Sequence, residues 1–322
     1  MITLLKRASY AFHKTLASGP QRIAQSYISL LSVLSRQMSL HLSARIQDYI
    51  NWFAWPELTF KPRTVAVTER VIVSIVPHLG EFDQAALFRK KLNYEAPVFK
   101  WFEHYAAREY DMVIEIGANV GIYTVFLDTL IKAGRSRLTK VIAFEPSREV
   151  YRRLLENLRA NNTQHVIAFQ AAIGLASGFQ SFFEPAARGH LTNGSLIQEF
   201  AQHFADTVSE TVVLVIAAQE LQKYFEASKN TLVKMDVEGF EPFLIAAMAP
   251  LINKYHPDLL IEVLNVTADQ LDKAKPLSGY RKYLITERGL LEAPTLFSSP
   301  KDRDWFLQFS ERSPPPGSGL PR

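Results

Sequence analysis

A chain of 322 residues with 48% hydrophobic side chains can bury a core large enough for one α/β domain plus an extension, and it is too apolar for global disorder. It has no cysteine, which excludes disulfide frameworks, zinc–thiolate sites and thiol nucleophiles, and fits a reducing, cytoplasmic compartment. The formal net charge of +4 is gathered at the start, where residues 1–50 hold six Lys/Arg against Asp48 alone; the remainder is close to neutral, so no nucleic-acid partner is expected.

The first 50 residues read as a helical extension, with Ile23, Tyr27, Leu30, Leu31 and Leu34 at helical spacing. Their charge admits two readings, a solvated helix or a peripheral contact with an anionic membrane surface. The opening MITLLKRASYAFHK is charged too early and too often for a secretory signal. No run of about 18 apolar residues predicts a spanning helix. Residues 51–63, with Trp52, Trp55, Pro56 and Pro62, read as a connection. The β-branched run VAVTERVIVSIVP (65–77) reads as one or two strands, and 81–107 returns to helical spacing.

From residue 111 strands and helices alternate. MVIEI (112–116), VIAFEP (141–146), HVIAFQAAIG (165–174), TVVLVI (211–216), TLVKMDVEG (231–239) and PDLLIEVL (257–264) read as strands; 121–132, 148–162, 217–226 and 240–253 read as helices. Such alternation predicts βαβ units and a mostly parallel sheet with helices on both faces. The expected organisation is a basic, mainly helical extension over 1–63, a strand-and-helix lead-in over 64–110, a core over 111–312 and a disordered Pro/Gly-rich tail over 313–322.

The stretch VIEIGANVGIYT (113–124) carries the first chemistry. Ligands of open parallel sheets bind beyond the carboxyl ends of the strands. Gly117 and Gly121 allow a tight turn and close backbone approach, and the following helix start favours an anion. Asn119 stands where a dinucleotide fingerprint needs its middle glycine, and no Gly-Lys-Ser/Thr follows, which argues against a nicotinamide oxidoreductase and a phosphate loop. Glu115 would repel pyrophosphate and welcome an ammonium, while Asn119 and the loop N–H groups suit a carboxylate. Glu145, 24 residues past Gly121 and at the end of the second strand, is placed to accept both ribose hydroxyls. An amino acid joined to a nucleoside is S-adenosylmethionine. Either acid alone reads equally well as a solvated strand end; together with the loop they point to the cofactor.

The segments DMVIEIGANVGIYTVFL, VIAFEPSREVYRRLLENLRANN, LVKMDVEGFE and PDLLIEVL, in this order, resemble the FkbM family of S-adenosylmethionine-dependent methyltransferases over about residues 90–290. The resemblance implies the class I methyltransferase (Rossmann-like) fold: a seven-stranded, mostly parallel sheet whose last strand is antiparallel. It also implies O-methylation of a hydroxyl on a sugar, polyketide or similar small metabolite. Gly117, Asn119 and Gly121 match the cofactor loop and Glu145 the ribose acid. From their place at the first helix turn, Tyr123 and Thr124 are candidates to flank the cofactor, with the core as the other reading of Tyr123. At 216–225 the family's usual Leu-Asp pair is replaced by residues around Gln219 and Glu220. A competing reading keeps the core vestigial and assigns the protein to membrane or partner binding through its basic start.

Methyl transfer mainly requires alignment, exclusion of water and, for a hydroxyl acceptor, a general base. Lys234, Asp236 and Glu238 alternate at period two, on one face near a strand's end. Asp236 is expected at the cofactor and acceptor, with Glu238 or His190 as the base; a plain Lys234–carboxylate ion pair is the structural alternative. Glu262 lies one strand away, but its spacing to Asp236 and Glu238 is not a metal motif, and no metal is expected. FFEPAARGHLTNGSL (182–196) reads as a polar insertion on the ligand side, with His190, Asn193 and Ser195 available to a polyol acceptor. Oligomeric state is not legible.

Overall fold

The computed structural model describes residues 14–37, 58–186, 191–299 and 301–315. The chain divides into two compact units, Met1–Tyr94 and Glu95–Arg322. His190, most of the 1–63 extension and the end of the tail lie outside the described residues.

In the first unit, helix α1 (Gln21–Ser35) precedes an antiparallel hairpin of β1 (Arg63–Ala66) and β2 (Ile72–Ile75) and the short helix α2 (Ala85–Phe88). The run 65–77 is therefore two strands. Its turn is fixed by Thr68, whose Oγ1 accepts the N–H groups of Arg70 and Val71 at 3.3 and 3.1 Å. A small core gathers Ala24, Ile28, Leu58, Phe60, Leu79, Leu87 and Phe88.

The second unit opens with helix α3 (Ala96–Trp101), which widens into a π-turn at Phe102–Ala106. There follow β3 (Met112–Ile116), α4 (Ile122–Lys132), β4 (Lys140–Phe144), α5 (Arg148–Ala160), β5 (Val166–Phe169), β6 (Ala172–Gly174) and β7 (Gly178–Pro185). Then come α6 (Gln198–Ala201), β8 (Val208–Ala217), α7 (Gln222–Ala227), β9 (Thr231–Met235), α8 (Glu241–Tyr255), β10 (Asp258–Glu262) and α9 (Ala268–Asp272). The described strands end with β11 (Tyr280–Thr286), β12 (Gly289–Ala293) and β13 (Asp304–Phe309).

The main sheet runs β12-β11-β13-β10-β9-β3-β4-β5. From β10 to β5 every pairing is parallel, while β13, last in the chain, runs antiparallel to both β10 and β11. This is the mostly parallel α/β architecture that the resemblance implied. Alternation along β3 puts helices on both faces. Ile114 and Ile116 join Leu244 and Met248 of α8 in one cluster, and Glu115, pointing the other way, meets Thr124 of α4. Each fully buried Ile, Leu or Phe of this core contributes about 1.5–3 kcal/mol.

The structure corrects four expectations. The main sheet has eight strands, not seven, because β11 folds back through a turn at Gly289, φ +112°, to add β12 at the edge. The run 165–174 is two strands in different sheets, and TVVLVI does not join the main sheet: β8 pairs with β6 and β7 in a separate three-stranded sheet. Its apolar residues alternate between buried and exposed, with Val213 and Val215 inside and Val212 and Leu214 outside, so its composition does not signify two-sided burial. Finally, the start of the supposed insertion 182–196 is strand, since β7 pairs with β8 from Gly178 to Pro185.

Candidate active site

The glycine loop connects β3 to α4 across the carboxyl end of the sheet. Gly117, at φ +84°, packs so tightly on the end of β9 that an added Cβ would stand 1.8 Å from the carbonyl oxygen of Asp236. Gly121, at φ +80°, faces Leu154 of α5, which a Cβ would meet at 2.2 Å. Asn119 adopts φ +53°, a left-handed conformation that asparagine tolerates. The N–H groups of Gly117 and Ala118 donate to Phe144 O, and that of Gly121 donates to Ala118 O.

Glu145 closes the second side. Its Oε2 accepts the N–H of Asn119 and its Oε1 that of Ser147, both at 2.9 Å. Burial pushes this carboxyl up to about 7, against the two backbone hydrogen bonds; the charges of Glu184 and Asp236 add to the rise. Ser147 also caps α5, accepting from Val150 N, and donates to Glu184 of β7.

On the third side, β9 ends at Met235 and the chain turns through Glu238 (φ +52°) and Gly239 (φ +88°) into α8. Lys234 Nζ donates to Asp236 Oδ2 at 3.0 Å, so the ion pair that the period-two spacing allowed is present. Lys234 is 3% exposed and its ammonium stands 4.7 Å from the centre of the Tyr123 ring. Burial alone would lower its pKa, but the carboxylates of Asp236, Glu115 and Glu95 outweigh this and hold it above the ordinary lysine value. Glu238 lies beyond the strand. Its Oε1 accepts Asn193 Nδ2 at 3.1 Å and its carbonyl accepts Ser195 Oγ at 2.8 Å. Burial, then the charges of Asp236 and Glu241, push its carboxyl well above the usual range.

Gly117, Asn119, Glu145, Asp236 and Glu238 line one cavity. Its apolar wall is built by Val150, Ile173, Phe182, Leu196 and Phe240. Glu115, Gly121 and Thr124 are not among the lining residues. Glu115 is 1% exposed, accepts Thr124 Oγ1 at 2.7 Å, and has no hydrogen-bond partner for its Oε1 among the described residues. Burial raises its carboxyl to about 7, against the pull of Lys234 and Thr124. Glu262 pairs with Arg303 at 3.3 Å, and burial together with Asp236 and Glu238 keeps its carboxyl high. Among the described residues no group of three His, Asp or Glu side chains is arranged to hold a metal ion. Trp101 packs on Phe306 and Phe102 on Tyr123, both in the core.

Sequence reasoning left two features unseen. Asn193 and Ser195 bind the Glu238 turn, 45 and 43 residues away in the chain. Phe182, Leu196 and Phe240 form part of the cavity wall; the polar look of the 182–196 segment concealed the first two. A carboxylate just past a strand end, a glycine loop made obligatory by contact and an apolar wall make a cavity whose chemistry fits S-adenosylmethionine.

The methyltransferase FkbM domain model matches residues 115–284. The hexuronic acid methyltransferase AglP of Haloferax volcanii is 30% identical over 173 residues, which are 53% of this chain and 63% of that protein. The chain thus spans less than two thirds of that relative's length. Among solved structures, a methyltransferase FkbM from Methylobacillus flagellatus KT has 17% identity and a TM-score of 0.40, covering 62% of this chain and 44% of that one. A SAM-dependent methyltransferase from Agrobacterium tumefaciens has 10% identity and a TM-score of 0.38, covering 80% and 73%.

Proposed function

The chain belongs to the FkbM methyltransferase family, and on that premise we propose that it transfers a methyl group from S-adenosylmethionine to a hydroxyl oxygen of a sugar or sugar acid. The observation that carries this reading is the convergence of Asn119, Glu145, Asp236 and Glu238 on one cavity beside the glycine loop. The relative named as a hexuronic acid methyltransferase supports a sugar-acid acceptor.

When bound, the cofactor supplies a methyl group on a sulfonium, open to in-line displacement by oxygen. Glu145 accepts hydrogen bonds from the ribose hydroxyls, and Val150, Ile173, Phe182, Leu196 and Phe240 take the adenine. Gly117, Asn119 and Gly121 shape the methionine end. Asp236, held by Lys234 through Oδ2, offers Oδ1 to the ammonium or to an acceptor hydroxyl. Glu238, held by Asn193 through Oε1, takes the hydroxyl proton at Oε2; its raised pKa makes it a competent base once ionised. His190 is the alternative base. Glu115 and Thr124 act through their neighbours, holding Lys234 and the first turn of α4.

The test is methyl transfer to a panel of uronic acid and neutral sugar glycosides, read as a mass gain of one methyl group. Methylation of a uronic acid derivative that collapses in Glu238→Gln supports the reading. Cofactor binding without transfer to any sugar overturns the acceptor assignment.

A further inference from the structure

Helix α1 is oriented against the usual rule for a helix in water. Its buried stripe is Ala24, Ile28, Ser32 and Ser35. Ile23, Leu30, Val33 and Leu34 point outward, exposed at 49, 60, 53 and 46%. Offsets of three, four and seven residues gather these four on one face. The buried serines are satisfied within the helix: Ser32 Oγ donates to Ser29 O at 2.7 Å and Ser35 Oγ to Ser32 O at 2.9 Å. The orientation is therefore internally consistent, and it leaves a large aliphatic stripe outside.

Charge indicates what covers that stripe. The unit that carries α1 holds twelve Lys/Arg against five Asp/Glu, a net +7, whereas Glu95–Arg322 is net −3. Residues 14–37 contain Lys14, Arg22 and Arg36 and no acid. Arg36 is committed to the carbonyls of Ala86 and Thr64, at 2.6 Å each, while Arg22 is exposed on the helix. A second copy would bring one +7 unit against another and be opposed by their like net charge. An anionic surface would be attracted. No helix among the described residues is long and apolar enough to cross a membrane.

We infer that α1 docks the protein on an anionic lipid bilayer, lying in the headgroup plane with Ile23, Leu30, Val33 and Leu34 inserted and the cations of its unit facing the anionic headgroups. The full-length chain is tested by co-sedimentation with neutral phosphatidylcholine vesicles and with vesicles containing added phosphatidylglycerol. Sedimentation velocity and thermal melts of wild type and Leu30→Gln/Leu34→Gln run alongside. Binding to the anionic vesicles only, weakened by salt and reduced about tenfold or more in the variant at unchanged Tm, is the expected result. Equal binding to both vesicle types, or an unaffected variant, overturns the inference. So does a wild-type dimer that the variant dissociates, which makes a second copy the occupant. A lowered Tm with unchanged vesicle binding places the stripe under the chain itself and overturns it equally.

Discussion

Glu145 Oε2 accepts the backbone N–H of Asn119 at 2.9 Å, which joins the acid at the end of β4 to the glycine loop after β3. The carboxyl that faces the cavity is thus held in place by the loop that shapes it. Burial raises it from 4.5 to about 7 in the absence of ligand. In the role proposed for Glu145, ribose hydroxyls donate to the ionised form, so cofactor binding would expel a proton below that pH. Affinity for S-adenosylmethionine is expected to fall about tenfold per pH unit below about 7. Calorimetry in buffers of different ionisation enthalpy should show proton release at pH 6 that is absent in Glu145→Gln.

The same shift has a stability consequence of definite sign. A carboxyl whose folded pKa lies above its unfolded value favours folding below the unfolded value and loses that contribution as pH rises through the folded one. For Glu145 the window runs from 4.5 to about 7, and Glu115 and Glu241 act in the same direction. Between these limits the ligand-free protein is expected to lose stability as pH rises. Denaturant titrations across this range should show a shallower slope for Glu145→Gln than for wild type.

Asn193 donates to Glu238, and that hydrogen bond opposes the rise in Glu238's pKa. Asn193→Ala is expected to shift the rising limb of the pH–rate profile to higher pH, while kcat on the alkaline plateau falls by less than about tenfold. An unchanged limb would remove Glu238 as the base.

Lys234 is buried between Asp236 and the field of Glu115. Lys234→Met leaves these acids without their cation and is expected to cost about 3–5 kcal/mol of unfolding free energy. Urea denaturation checks this; a loss below about 1 kcal/mol would mean that the pair is of the weak, solvent-screened kind.

Two glycines with positive φ separate conformational strain from steric overlap. Gly134, at φ +63°, has nothing within 4 Å of an added Cβ, and Gly134→Ala is expected to cost about 1 kcal/mol. Gly117→Ala forces a Cβ to within 1.8 Å of Asp236 O and should cost several times more, read as a much larger drop in Tm.

The parts of the fold visible in sequence were those where local pattern and tertiary role agree. MVIEI is apolar but for Glu115 because β3 is buried on both faces, and in VIAFEP the strand stops at Phe144, which puts Glu145 just past the end of β4. The period-two spacing of Lys234 and Asp236 allowed their pairing as one of two readings, and the pair is present. The strands after residue 264 were not read. YRKYLIT mixes polar and apolar residues, and β12 owes its strand to the turn at Gly289 rather than to its own composition. The period-two pattern runs past the strand: β9 ends at Met235, and Glu238, with a left-handed φ of +52°, lies in the turn that follows. The Asn193–Glu238 contact depends on long-range packing that no local spacing encodes.

The central claim is tested most directly by calorimetric titration of the protein with S-adenosylmethionine and its demethylated product. Micromolar binding of both, lost or weakened at least about a hundredfold in Glu145→Ala, is the predicted result. Binding of equal strength in wild type and Glu145→Ala, or none to either ligand in wild type, would contradict it.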